Sequence, residues 1–324
     1  MKAIIQSEFG LPEVLELRDV DKPEPAEDEV VVRVHAASVN MFDWHMMTGV
    51  PYLARIEAGL RKPKTGRLGV DFAGVVDSVG SKVTRFEPGQ EVFGGRMGSF
   101  AEYVQVREER AIAPKPEGLS FEQAAAIGIA GVTALQGLRR GGLEPGKHVL
   151  VNGASGGVGT FGVQIAKASG AEVTGVCSPR NVEQAHSLGA DHVIDYTQKD
   201  FTQNGNRYDL VLDIAGNHSW PEYRRAMNDD GALVIVGGPK KNRWIGPLGD
   251  RLMVRLRAIR DSRRVVSPFL ASLNGDDLRE LGELIEAGKI DPAIDRRYPL
   301  EEVPDAMRYM GEGHARGKII ISVS

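Results

Sequence analysis

Cysteine is nearly absent from this chain: Cys177 is the single one among 324 residues. One thiol cannot close an intrachain disulfide, so the fold must rest on packing, and a reducing, cytoplasmic setting is expected. Nor can one thiol supply a four-cysteine structural zinc site. The seven histidines form no HxxxH or similar cluster, and each reads as a surface or packing residue. No apolar run reaches the ~20 residues of a membrane-spanning helix, and Met1–Glu8 turns polar too early for a secretory signal. A net charge of only −4 gives no reason to expect nucleic acid as a partner. Short repeats and low-complexity tracts are missing too. What remains is ordinary globular composition, 42 % hydrophobic and 26 % charged, in a chain of about two domains.

The most informative stretch runs from Val149 to Gly170. Val149, Leu150 and Val151 end a buried strand, and four glycines fill seven positions from Gly153 to Gly159. Apolar Val158, Phe161 and Ile165 then recur at helical spacing, and Gly170 sits where that helix would stop. A strand, a glycine turn and a helix N-terminus form a phosphate cradle. The glycines admit the pyrophosphate close to backbone N–H groups, and the helix's unpaired amides favour negative charge. Dinucleotide binding is the expectation, with Ala154, Ser155, Gly156, Gly157 and Val158 in the cradle.

The chain has two rhythms. Before about residue 120, short β-like segments alternate with Pro and Gly: Leu15–Leu17, Val30–Val34, Gly74–Gly80 and Val92–Gly94. From about residue 122, strands alternate with helices, with candidate strands at His148–Val151, Glu172–Val176, His192–Ile194, Leu210–Leu212 and Leu233–Val236. That alternation predicts a doubly wound parallel sheet. A last helix over Asp276–Ala287 precedes a β-like tail at Lys318–Ile321.

Several motifs in family order carry a resemblance. They are Ala37–Trp44, Gly69–Val76, Phe86–Gly94, Ala130–Leu135, the glycine run, Ser187–Asp191 and Arg316–Ile319. The chain resembles the zinc-independent medium-chain dehydrogenase/reductases, in the quinone oxidoreductase and enone or enoyl reductase branch. The resemblance implies an α/β protein with a GroES-like β-barrel catalytic domain over 1–122 and 273–324. A Rossmann cofactor domain with a doubly wound parallel sheet, over 123–272, interrupts it. Substrate is expected in the cleft between them, and a homodimer is implied. Where the zinc-dependent relatives place metal ligands, this sequence has Asn40, Val70, Asp71 and the Gly128–Ala130 stretch, so no metal is expected. Without a Lewis acid, hydride addition to a quinone or an α,β-unsaturated carbonyl needs less help than alcohol oxidation.

An NAD-preferring fold places a carboxylate about 20 residues beyond the glycine run. Here the second strand ends Val176-Cys177-Ser178-Pro179-Arg180, and no carboxylate appears until Glu183. Arg180 and Ser178 suit a 2′-phosphate, which points to NADP(H). A helix cap at Ser178 and a solvated Arg180 are the other readings. By resemblance Tyr196 reaches the same phosphate, and Thr133, Gly216, Gly237, Gly238 and Lys318 lie by the cofactor. Asn40 replaces the lost cysteine, to donate to a carbonyl or orient the carboxamide. Asp43 holds its loop or takes part in the chemistry. Tyr52 stands near a family proton donor, with solvent or plain aromatic packing as alternatives.

Residues 240–264 hold nine Lys or Arg against two Asp, a local balance of +7 in a chain whose remainder is −11. Leu248, Leu252, Leu256 and Ile259 share one helical face, flanked by Arg251, Arg255 and Arg260. Either this helix packs over the cofactor domain, or it is a lid or peripheral membrane contact. The leading expectation is an NADPH-dependent quinone or enone reductase. Enoyl-thioester reduction and a low-turnover NADPH-binding accessory protein are the rivals.

Overall fold

Valine and isoleucine runs dominate the strands, and their β-branched side chains are stiff enough to pack well on a pleated surface. The computed structural model describes residues 1–238, 244, 248–259, 261–267 and 269–323. Two units divide them: Met1–Val132 with Ser272–Ser324, and Thr133–Ala271. The first begins with β1 (Lys2–Gln6) and β2 (Leu15–Asp19), then β3 (Glu29–Val39) and α1 (Met41–Thr48). After the short α2 (Arg55–Ala58) come β4 (Asp71–Val79), β5 (Glu91–Gly95), β6 (Tyr103–Arg107) and β7 (Ile112–Pro114). Helix α3 (Phe121–Ala125) and the start of α4 (Gly128–Arg140) follow.

The second unit alternates as the sequence predicts. Strands β8 (His148–Asn152), β9 (Glu172–Cys177) and β10 (His192–Asp195) are separated by α5 (Gly157–Ala168) and α6 (Val182–Ser187). Then come β11 (Tyr208–Asp213), α7 (Trp220–Arg225), β12 (Met227–Ile235), α8 (Leu248–Ala258) and β13 (Arg264–Val266). The six strands pair in the order β10-β9-β8-β11-β12-β13, every pair parallel. Counting from β8, that is the order 3-2-1-4-5-6 of a dinucleotide-binding doubly wound sheet.

The chain then returns to the first unit through α9 (Gly275–Glu286), β14 (Ile294–Pro299), α10 (Val303–Glu312) and β15 (Lys318–Ser322). Its large sheet runs β14-β15-β3-β4-β5-β7, with β6 paired to the first half of β3 on the edge whose second half takes β15, and Val30, Val32, Val34, Phe72, Ile319 and Ile321 fill its core. Register matters here. Ser38 pairs with Ile320 on β15 and with Asp71 on β4, so residues from three distant segments meet beside the end of β3.

Helix α8 packs on the core of the second unit, but not through its leucine face. Its buried flank is Arg251, Val254 and Ala258, whereas Leu252, Leu256 and Ile259 are half or more exposed. Small Val254 and Ala258 let the helix lie close on the second core, so the larger leucines face outward. Residues 240–243, 245–247 and 260, and the Leu248 side chain, lie outside what the structure describes.

Candidate active site

A charged residue inside an apolar strand needs partners, because an unpaired buried carboxylate is costly. Asp71 opens β4 next to Phe72 and Ala73, is fully buried, and gathers four donors. Its Oδ2 accepts from Ser38 Oγ (2.9 Å), Asn40 Nδ2 (2.9 Å) and Lys318 Nζ (3.3 Å), and its Oδ1 accepts from the Ile129 amide (2.8 Å). Helix α4 can come this near only because Gly128 lacks a side chain: a Cβ there would sit 2.1 Å from Asp71 Oδ1. Lys318, 2 % exposed, also donates to Asn40 Oδ1. Asn40 Nδ2 donates in addition to the Ser38 carbonyl (3.3 Å), so both of its hydrogens have acceptors within the protein. Donation to a substrate carbonyl would require Asn40 to release one of them.

Asp43 lies in the first turn of α1. Its Oδ2 accepts from the Asn40 amide (2.8 Å), and its buried Oδ1 has no hydrogen-bond partner. Burial, and next the negative charge of Asp71, push the Asp43 carboxyl up to about 7. This group therefore stands half-protonated near neutral pH, locked against the loop that presents Asn40.

In the second unit the glycine turn has the shape a pyrophosphate needs. Gly153 takes a φ of 94°, which favours glycine, and a Cβ on Gly159 would lie 2.0 Å from the Gly153 carbonyl. The Ala154 amide is spent on the Val176 carbonyl (3.0 Å) and that of Gly156 on Gly153 (3.2 Å). The free donors of a helix are the amides of its first turn, here beginning at Gly157 and Val158 in α5. Ser155 Oγ accepts from Asn181 Nδ2 (2.8 Å), tying this loop to the turn after β9. That turn carries Ser178 and exposed Arg180, and the β9–β10 register (Cys177 with Asp195) brings Tyr196, itself exposed, alongside. Ser178 stands at the N-cap position of the short Pro179–Asn181 turn, with Pro179 first in it, but its side chain makes no cap hydrogen bond.

At the ends of β11 and β12 a second buried polar group shapes the loops. Asp213, fully buried, accepts from Asn152 Nδ2 (2.7 Å), the Gly216 amide (3.1 Å) and Tyr223 Oη. Burial holds the Asp213 carboxyl above its usual range. Arg251, the buried arginine of α8, donates to the carbonyls of Val236 (2.6 Å) and Gly237 (3.2 Å). A Cβ on Gly237 would lie 1.6 Å from the Ile214 carbonyl, and one on Gly216 would meet Gly238 at 2.5 Å. These loops therefore touch through backbone alone, at the sheet edge where doubly wound folds bind ligands.

A family model described as an alcohol dehydrogenase GroES-like domain matches residues 26–117, and one described as a zinc-binding dehydrogenase matches 188–321. A 2-methylene-furan-3-one reductase of Solanum lycopersicum is 33 % identical over 99 % of this chain and 79 % of its own. An NADPH-dependent alkenal/one oxidoreductase of Arabidopsis thaliana matches at the same identity and coverage. The structure of a quinone oxidoreductase from Coxiella burnetii superimposes with a TM-score of 0.87 at 32 % identity, covering 100 % of this chain and 99 % of that one. The chain belongs to the quinone oxidoreductase branch of the medium-chain dehydrogenase/reductases.

In this medium-chain reductase the predicted residues fall into separate groups. Asn40, Asp43 and Lys318 meet in the first unit around Asp71. Tyr52 begins a short turn with the Arg55 guanidinium 4.8 Å from its ring centre, outside that hydrogen-bonded group. Thr133 is buried on α4, one turn beyond Ile129. Ala154, Ser155, Gly156, Gly157, Val158, Ser178, Arg180 and Tyr196 cluster at the ends of β8–β10, and Gly216, Gly237 and Gly238 after β11 and β12. Sequence reasoning gave no role to Asp213, named Asp71 only where relatives place a metal ligand, and named Arg251 only as a flanking charge. The signal for the two aspartates was available: each is a carboxylate joined to an apolar strand. Arg251 gave none, because its neighbours read as a solvated charged flank.

Proposed function

We propose that this chain transfers a hydride from NADPH to a quinone or an α,β-unsaturated carbonyl, without a metal ion. NADPH, when bound, supplies the hydride. The first-turn amides of α5 and the loops at Gly216 and Gly237 suit its pyrophosphate and ribose, and Ser178, Arg180 and Tyr196 suit its 2′-phosphate. The relatives' printed activities, an enone reductase, an alkenal/one oxidoreductase and a quinone oxidoreductase, support the acceptor class.

The observation that carries the metal-free reading is the Lys318 ammonium, 3.3 Å from Asp71. Zinc does not fit these residues. Asn40 and Asp71 already share a cation, every oxygen of Asp71 is taken, and Val70 offers no donor atom. Among the described residues no group of three or more His, Cys, Asp or Glu side chains could hold a metal ion. A fixed ammonium also keeps the end of β3 in place, so Asn40 is presented in one orientation.

The first unit is proposed as the catalytic domain and the second as the cofactor domain, in a cytoplasmic homodimer. Exposed Leu252, Leu256 and Ile259 beside exposed Arg255 support a peripheral contact with anionic membranes. Co-sedimentation with anionic liposomes tests that part, and light scattering tests the dimer. The central test is NADPH oxidation with a panel of quinones, alkenals, alkenones and enoyl-thioesters, run with and without a chelator. Turnover of quinones or enones, unaffected by chelation, is the expected result. Tight NADPH binding with no turnover of any acceptor, or activity lost with bound zinc, overturns it.

A further inference from the structure

The cofactor elements all sit at the C-terminal ends of parallel strands. Five arginines collect at the opposite edge of the same sheet. Arg207 precedes β11, Arg263 precedes β13, Arg224 and Arg225 end α7, and Arg257 lies near the end of α8. Together with Trp220 they line an open pocket of about 650 Å³, a size typical of small-molecule sites.

Among the described residues two carboxylates, Asp229 and Asp261, line this pocket, and both are already shared. Asp229 lies 3.7 Å from Arg207 and also pairs with Arg263, while Asp261 pairs with Arg224 (2.8 Å) and Arg263 (2.9 Å). That leaves a surplus of three positive charges in the pocket. Among the described residues no carboxylate lies within ion-pair distance of Arg225 or Arg257. Arg225 makes a long hydrogen bond to the Thr202 carbonyl (3.4 Å). Arg263, 8 % exposed, keeps a buried Nε without an acceptor. The Asp–Arg pairs suffice to join α7 and the ends of β12 and β13. Arg225 attracts Glu222 one turn back on α7 without an ion pair, and neither Arg225 nor Arg257 is neutralised within that joint unless an anion completes it.

We propose that this pocket is a second anion site, taking a ligand with clustered phosphates and distinct from the cofactor's own phosphate positions. Arginine suits that ligand because its planar fork bonds two phosphate oxygens at once, and several forks around one hollow match several phosphoryl groups. Trp220 gives the pocket one apolar wall. The clustered phosphates belong to a soluble polyphosphate or to a phosphorylated lipid headgroup.

Isothermal titration of tripolyphosphate into protein saturated with NADPH tests this, because the cofactor then blocks its own phosphate sites. Saturable binding is expected, weakened at least tenfold by Arg225→Ser and again by Arg257→Ser, with NADPH turnover unchanged in both variants. Neither substitution breaks an ion pair among the described residues, and unchanged NADPH turnover shows that folding is kept. A second arm adds phosphatidylcholine vesicles containing a phosphatidylinositol bisphosphate. Vesicles that bind wild type, and the double variant less, make the headgroup the source; binding confined to soluble polyphosphate makes it a free ligand. No saturable binding in either arm, or binding that the double variant keeps, overturns the proposal. Turnover on quinones is read separately, so failure here leaves the hydride-transfer reading standing.

Discussion

Replacing Asp43 with asparagine removes a buried charge while keeping its hydrogen bond. The amide oxygen can still accept from the Asn40 amide, now 2.8 Å from Asp43 Oδ2, and no partner of Oδ1 is lost because it has none. The folded carboxyl titrates at about 7, raised by burial and by Asp71, against about 3.9 for an unfolded aspartate. Between these values the folded chain holds a proton that the unfolded chain has shed. The group's stabilising share is therefore complete below about pH 4, falls as pH rises, and is gone above about pH 7. From pH about 5 to about 8 some two units of this window are crossed, a loss of about 2–3 kcal/mol at 1.36 kcal/mol per unit. Asp43→Asn escapes that loss. Urea unfolding of both proteins at several pH values, followed by fluorescence and circular dichroism, should show the variant gaining about 2–3 kcal/mol on wild type over that span. Groups elsewhere titrate alike in both and cancel. A difference that stays flat with pH, or that moves the other way, would refute the argument that a protonatable carboxyl is sealed beneath the Asn40 loop.

Three further outcomes are expected. Lys318→Met leaves the Asp71 carboxylate buried without its cation and should cost about 3–5 kcal/mol in denaturation. Adding Asp71→Asn should recover part of that loss, and strictly additive effects would contradict the pairing. Arg180→Ser should raise KM for NADPH about tenfold, the worth of one charge-assisted hydrogen bond, while steady-state kinetics with NADH barely change. Gly237→Ala forces a Cβ to within 1.6 Å of the Ile214 carbonyl; fluorescence titration should show much weaker NADPH binding, with stability down by about 1–3 kcal/mol.

The sequence alone determined the architecture of the second unit, because its signals are local. Apolar runs at β8, β11 and β12, the glycines from 153 to 159 and the stop at Gly170 each act within a few residues. The absence of a carboxylate after β9 was equally plain, and with it the expectation of NADP(H). Periodicity left α8 open, since a helix with apolar residues on more than one flank does not say which flank it will bury. Only tertiary structure decided that Val254 and Ala258 pack inward and that Arg251 holds the Gly237 loop. The meeting of Asn40, Asp71 and Lys318 was likewise hidden. Lys318 and Asp71 stand 247 positions apart, and it is the pairing of β15 and β4 on either side of β3 that joins them. Hydrogen-bond register across a sheet is set by the whole fold, so no window of sequence contains it.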